Sequence, residues 1–255
     1  MEDKVRISVV SYTNSQPFIF GMNASEFLKN NCQIYEDMPS LCAQKLLTDE
    51  VDIGLVPVAI IPELKHYNIV SDYCIGATSQ VRSVLLVSNV PIKEINTIYL
   101  DYQSRTSVLL VQILAKKFWK INVEFFKTKH GFENKVLEQN SAAVIIGDRT
   151  FYINNKYKFK YDLAEEWIKH TNLPFVFACW ISNKNLDKQF VNNFNKSLQF
   201  GLENIQSVIN NFKQNHKEFC DFNIDEYFHK NISYNLDKEK LKGMELFLDL
   251  AKQIE

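Results

Sequence analysis

Residues 5–17 read Val5-Arg6-Ile7-Ser8-Val9-Val10-Ser11-Tyr12-Thr13-Asn14-Ser15-Gln16-Pro17. A β-branched run that breaks into small hydroxyl and amide residues and then proline is a buried strand emptying into the start of a helix. The pattern recurs downstream. The spacing predicts a helix to about Asn30, a short strand around Ile34, an amphipathic helix opened by Pro39-Ser40, and an apolar strand Val51–Val56 ending at Pro57. This βαβα rhythm is that of a parallel sheet covered by helices.

Two further strands, Asn68–Ile75 and Val81–Ser88, complete the first block before Asn89-Val90-Pro91. A second block follows: strand Thr97–Leu100, helix Thr106–Lys117, strand Val123–Phe126, helix about Phe132–Glu138, strand Ala142–Ile146 and helix about Leu163–Thr171. After Leu173-Pro174 comes a strand Phe175–Ile181, and from there the residues predict helix to the end, with Pro and Gly nearly absent. The expected architecture is therefore α/β with two lobes, each a mixed sheet flanked by helices. Residues 1–88 plus 179–255 form a discontinuous lobe on which the helical tail packs back; residues 89–178 form an inserted one, with a ligand cleft between them.

A chain of 255 residues, 46% apolar and 23% charged, can bury a sizeable core. Its 29 basic against 30 acidic residues argue against a nucleic-acid partner held by bulk positive charge. No apolar run approaches the roughly 20 residues of a membrane-spanning helix, and no secretory leader is visible. The cysteines Cys32, Cys42, Cys74, Cys179 and Cys220 are odd in number and far apart, which supports neither a disulfide framework nor a structural zinc site. These features predict a reduced, cytoplasmic protein with no membrane partner. The middle piece carries 13 basic and 9 acidic residues against 16 and 21 in the remainder, so an anion between the lobes meets positive charge from the inserted one.

In open α/β sheets ligands bind beyond the carboxyl ends of strands, where helix N-termini converge. Four turns qualify. Ser11 to Pro17 offers Ser11 and Asn14, residues that also serve as helix caps. Pro39-Ser40 presents Ser40 as a cap or a ligand hydroxyl, and only Pro57 of the Asp52–Pro57 strand end borders a cleft. The fourth, Asp101-Tyr102-Gln103-Ser104-Arg105-Thr106-Ser107, gathers three hydroxyls, unpaired amides and an arginine where a helix begins, a natural seat for a carboxylate or phosphate. Only four of the basic residues are arginine: Arg6, Arg82, Arg105 and Arg149. A guanidinium fork grips an anion in two places as lysine cannot, which makes them the first candidates for anion binding. Strand alternation sends Arg82 and Ser83 to opposite faces, so one of the two meets the cleft. Gly147-Asp148-Arg149, after another strand, is either a tight turn or a further approach to the ligand.

Dinucleotide, Walker, nucleophile-elbow and zinc-protease motifs are all absent, and His66, His130, His170, His216 and His229 stand apart from one another. Nucleotide, metal and covalent serine chemistry therefore lack support.

Taken together, these turns resemble the MqnA family of menaquinone biosynthesis, the chorismate dehydratases of the futalosine pathway. The resemblance runs nearly end to end, through Ser11-Tyr12-x-Asn14 with Pro17, Pro39-Ser40 to Asp52-Ile53-Gly54-Leu55-Val56-Pro57, and Arg82-Ser83-Val84-Leu85-Leu86. It continues through Asp101 with Ser104-Arg105-Thr106-Ser107, Ile146-Gly147-Asp148, Asp162-Leu163 with Trp167, Leu173-Pro174-Phe175-Val176-Phe177-Ala178-x-Trp180, and Tyr234. It implies a fold similar to type II periplasmic binding proteins and loss of water from chorismate, a dicarboxylate, to give 3-[(1-carboxyvinyl)oxy]benzoate with no cofactor and no metal. On this resemblance Asn14 and Ser83 meet the reacting face, with Asp148 as a protein-borne base unless the substrate's own enolpyruvyl carboxylate takes the proton. Ser104, Thr106 and Ser107 hold a carboxylate, with Ser11, Ser40, Pro57, Arg82, Arg105 and Gly147 around the substrate. A homodimer is left open. The alternatives are a 1,4-dihydroxy-6-naphthoate synthase-like enzyme on the same scaffold, or a solute-binding protein that only captures a small carboxylate.

Overall fold

The computed structural model describes residues 4–132, 137–153, 156–217 and 222–254. Strand β1 (Val5–Val10) runs into a 3-10 turn (Thr13–Ser15) and helix α1 (Gln16–Ala24). The expected helix to Asn30 is two helices, because Ser25 takes an extended conformation and its hydroxyl accepts from Leu28 N, capping α2 (Glu26–Asn31). Next come β2 (Cys32–Asp37), α3 (Pro39–Leu47), β3 (Ile53–Pro57) and β4 (Asn68–Ala77).

The second sheet is built by β5 (Val84–Ser88), β6 (Thr97–Leu100), β7 (Glu124–Lys127), β8 (Ser141–Ile146) and β9 (Phe159–Asp162). Helix α4 (Thr106–Ile113) follows β6 and continues as a π-helical stretch, Leu114–Trp119, closed by left-handed Lys120. After α5 (Leu163–Thr171) the chain returns to the first sheet as β10 (Phe175–Ser182). It ends with α6 (Lys188–Glu203), α7 (Ile205–Asn215), α8 (Ile224–Glu226), β11 (Ser233–Asn235) and α9 (Lys238–Lys252). The expected helix at Phe132–Glu138 falls largely outside the described residues.

Both sheets are mixed. The first has the order β11-β4-β10-β3-β1-β2: β1 is parallel to β2 and β3, while β10 is antiparallel to β3 and β4. The second has the order β7-β6-β8-β5-β9, with β6 parallel to both neighbours and β5 antiparallel to both of its own. Pairing therefore places β5, expected in the first block, in the second sheet, and all of β10 in the first. The strand expected from Val81 starts only at Val84, since Arg82 sits at φ 63°, a left-handed conformation that breaks strand alternation. Strands β9 and β11 are short and polar, and their hydrogen bonds come from strands distant in sequence.

The tail packs against α1 of the first sheet's layer. A Cβ on Gly201 would fall 1.8 Å from the Pro17 carbonyl oxygen, and one on Gly21 2.0 Å from that of Ser197, so α1 and α6 touch backbone to backbone. The main core spans both sheets, with Trp167, Trp180, Phe175 and Phe194 among its fully buried side chains, and a smaller cluster around Val87, Ala143, Ile145 and Tyr157 packs on the other face of the second sheet.

Candidate functional site

Where β1, β3, β5, β8 and β10 end or begin, a cleft with about 530 Å³ of empty space opens between the two sheets. From the first sheet's side it is bordered by Tyr12, Asn14, Pro39, Pro57 and Phe177. Ser83, Ser104, Thr106, Ser107 and Gly147 border it from the other. Seven residues expected at the site therefore converge from five turns spread over more than half of the chain.

Each is held for a local reason. Asn14 lies in the 3-10 turn after β1; its Oδ1 accepts from Ser15 Oγ at 3.1 Å, and its main-chain oxygen accepts from Tyr234 Oη at 2.9 Å. Ser83 follows the left-handed Arg82, whose amide donates to the buried Asp162 carboxylate at 2.6 Å. Its carbonyl accepts from Gly147 N at 2.9 Å, and its hydroxyl receives the Tyr227 O–H at 2.9 Å. Gly147 takes φ 64°, and a Cβ there would lie 2.8 Å from the Tyr12 ring, so only glycine lets the turn after β8 close over that ring.

Helix α4 begins at the cleft. Ser104 Oγ accepts from Ser107 N at 3.0 Å, while Thr106 Oγ1 donates to the Phe177 carbonyl at 3.0 Å and accepts from Ala59 N at 3.3 Å. The amides of a helix's first turn have no carbonyl of their own to bond, and they carry the positive end of the dipole. With the Thr106 hydroxyl and the Ser107 amide engaged internally, what the cleft offers an anion is the neutral Ser104 and Ser107 hydroxyls, the Asn14 carboxamide and the positive end of α4.

The arginines are employed elsewhere. Arg6 pairs with Asp52 (2.8 Å), Arg82 with Glu226 (3.5 Å) beside the Phe222 ring, Arg105 with Glu63 (3.0 Å) and Arg149 with Asp101 (2.8 Å). Arg82 and Arg105, expected around the substrate, are not brought to the cleft wall: the Arg82 side chain turns toward Glu226 of α8, and Arg105, at the start of α4 without a side-chain capping bond, reaches outward to Glu63. Asp101, buried, and the half-buried Arg149 instead pair outside the cleft lining. The Asp101 carboxylate also accepts from Gln103 N (2.9 Å) and Ile146 N (3.3 Å), and Tyr12 Oη donates to Gln103 Oε1. Burial pushes the Asp101 carboxyl up, opposed by Arg149, and burial likewise raises the Tyr12 phenol, so Tyr12 stays neutral.

Asp148 lies beside the cleft but outside its lining. Its two oxygens accept from Thr13 N at 3.2 and 3.3 Å, tying the turn after β8 to the turn after β1, and burial raises its pKa. Ser11 and Ser40 are also outside the lining: Ser11 N donates to Asp37 O at 3.0 Å, and Ser40 sits in the first turn of α3 behind Pro39. Sequence reasoning missed Tyr227 as a site residue and singled out Tyr234 only within the resemblance. Both lie in a segment read as plain helix, with no spacing signal linking them to Asn14 or Ser83. Among the described residues there is no group of three or more metal-ligating side chains, and no helix is long and apolar enough to cross a membrane.

In fold the chain is similar to solved proteins of the periplasmic binding type. Protein AF1704 from Archaeoglobus fulgidus is 14% identical, with 98% of this chain and 97% of that one covered and a TM-score of 0.72. An ABC transporter from Parabacteroides distasonis is 16% identical (99% and 93% covered, TM-score 0.63). The periplasmic aliphatic sulphonate binding protein SsuA from Escherichia coli is 11% identical (99% and 93% covered, TM-score 0.63). Those likenesses establish the two-sheet scaffold around a cleft. The sequence itself goes further, since residues 5–253 match the family described as menaquinone biosynthesis: the chain belongs to that family, the one of MqnA, and is an enzyme of menaquinone biosynthesis.

Proposed function

We propose that the protein is a hydro-lyase that removes water from chorismate. A proton leaves the ring carbon bearing the enolpyruvyl ether, the hydroxyl leaves the neighbouring carbon, and the ring becomes aromatic, giving 3-[(1-carboxyvinyl)oxy]benzoate and water. The observation that carries this reading is the convergence of Asn14, Ser83, Ser104, Thr106 and Ser107 on one cleft in a chain of this family.

Aromatisation supplies much of the driving force, so the protein's task is to orient the ring, exclude bulk water and stabilise the departing hydroxyl. The Ser104 and Ser107 hydroxyls and the start of α4 receive a carboxylate, while the Ser107 amide stays on Ser104 Oγ and the Thr106 hydroxyl on the Phe177 carbonyl. Asn14 and Ser83 face the reacting carbons. Asp148 has both oxygens on Thr13 N, which favours the substrate's own enolpyruvyl carboxylate as proton acceptor. Pro39, Pro57, Phe177 and Ile146 give the cleft apolar walls for the ring to pack against.

Incubation with chorismate, followed by separation and absorbance of the aromatic product, tests the reading. Stoichiometric conversion is expected. Unchanged chorismate that nonetheless raises the melting temperature would mean capture without chemistry.

A further inference from the structure

We propose that Tyr227 is a positioning residue for this reaction: its phenol, 2.9 Å from the Ser83 hydroxyl, fixes Ser83 as a hydrogen-bond donor into the cleft. The inference rests on the dehydratase reading and assigns the direction of a proton within the same site.

Tyr227 is wholly buried, packed edge-on against Phe151, Phe222 and Phe228. A buried phenol has one proton to donate and needs a protein acceptor for it. Ser83 Oγ lies within hydrogen-bond reach, at 2.9 Å, and accepts from it. The Tyr227 proton therefore goes to Ser83 Oγ.

A hydroxyl that accepts still has its own proton to place, and Ser83, 1% exposed, borders the cleft. The bonds run one way, from Tyr227 O–H to Ser83 O–H, and end at whatever fills the cleft. In the proposed reaction that occupant is the departing hydroxyl, which leaves more readily when it accepts a hydrogen bond. Burial holds the Tyr227 phenol far above the ordinary tyrosine range, so it orients Ser83 and does not titrate.

The same stretch of chain also fixes Asn14. Tyr234 on β11 donates to the Asn14 carbonyl, and the wholly buried Lys240 donates to Ser233 Oγ (2.6 Å) and to the Asn235 carbonyl, fastening β11 in place. One C-terminal segment thus orients two site residues more than 140 positions away.

Steady-state kinetics of Tyr227→Phe, Ser83→Ala and the double variant test the proposal. Y227F keeps its ring and is expected to lower kcat about tenfold or more while KM moves less than about twofold, because Ser83 loses its orientation and the cleft keeps its shape. In the Ser83→Ala background Tyr227→Phe is expected to cost nothing further in kcat, the mark of two groups acting as one. The second comparison does not require Y227F alone to retain wild-type stability, since donor and acceptor are removed together. Wild-type kcat in Y227F, a loss confined to KM, or losses that multiply in the double variant would overturn the role of Tyr227 while leaving the dehydratase reading intact. A wild-type protein that leaves chorismate unchanged overturns that reading and this inference together.

Discussion

Thr106 Oγ1 is bonded to the Phe177 carbonyl at 3.0 Å, so a hydroxyl at the start of α4 in one layer is fastened to the returning strand β10 of the other. It accepts from Ala59 N as well. All three residues are buried, and Thr106 and Phe177 border the cleft.

Thr106→Val, which keeps the shape and deletes both bonds, is expected to destabilise the protein by about 1–3 kcal/mol, because the Ala59 N–H is left buried without an acceptor. Urea unfolding measures it. Thr106→Ser should recover most of the loss, and unchanged stability in the valine variant would show that this clasp carries no weight.

Asn14→Ala tests the reacting face. The expected result is a fall in kcat of about a hundredfold or more with a melting temperature close to wild type, since the main-chain bond to Tyr234 survives the substitution. Near-normal turnover removes Asn14 from the mechanism.

Asp148→Asn separates the two proton acceptors. An amide oxygen can still accept from Thr13 N, so the turn is kept, and with the substrate's carboxylate as base the loss in kcat stays below about tenfold. A loss near a thousandfold would instead make Asp148 the base.

Arg105→Ala is expected to change the KM for chorismate by less than about threefold, with stability altered by less than about 1 kcal/mol. The side chain faces outward to Glu63, and the two are 37% and 53% exposed. A tenfold or greater rise in KM would return Arg105 to the substrate's surroundings.

Acid titration should report on Asp52. Burial alone would raise its carboxyl, but bonds from Arg6 and Lys184 outweigh that and lower it from 3.8 to about 2. A folded-state value below the unfolded one contributes stability that is complete above about pH 4 and lost as pH falls toward 2. Asp52→Asn should flatten that part of the curve of melting temperature against pH and lower the plateau at neutrality. A variant curve parallel to wild type from pH 5 to 2 would contradict the assignment.

Most of the first sheet was legible because β1 and β10 are long apolar runs with unambiguous period, and Asn14, Ser104, Thr106, Ser107 and Gly147 were legible because they follow strands. The arginines misled: a scarce guanidinium fork signals a carboxylate partner, but sequence does not say whether that partner is a ligand or the protein's own Asp52, Asp101, Glu63 or Glu226. Position 82 misled for a related reason, since strand alternation was extended through a residue that in fact turns left-handed. The tyrosines of the tail carried no spacing signal, and Tyr234 entered only through the family resemblance.

By itself, then, the amino-acid sequence determined the α/β class, the succession of strand-end turns that carry small donors, and membership of the menaquinone biosynthesis family, because these are set by local periodicity and by motifs written in contiguous residues. Only the tertiary structure decided which sheet β5 joins, which charges are neutralised internally, and that Tyr227 and Tyr234 reach back to Ser83 and Asn14. Hydrogen bonds between residues far apart in the chain depend on how the layers pack, and nothing in the neighbouring residues encodes them.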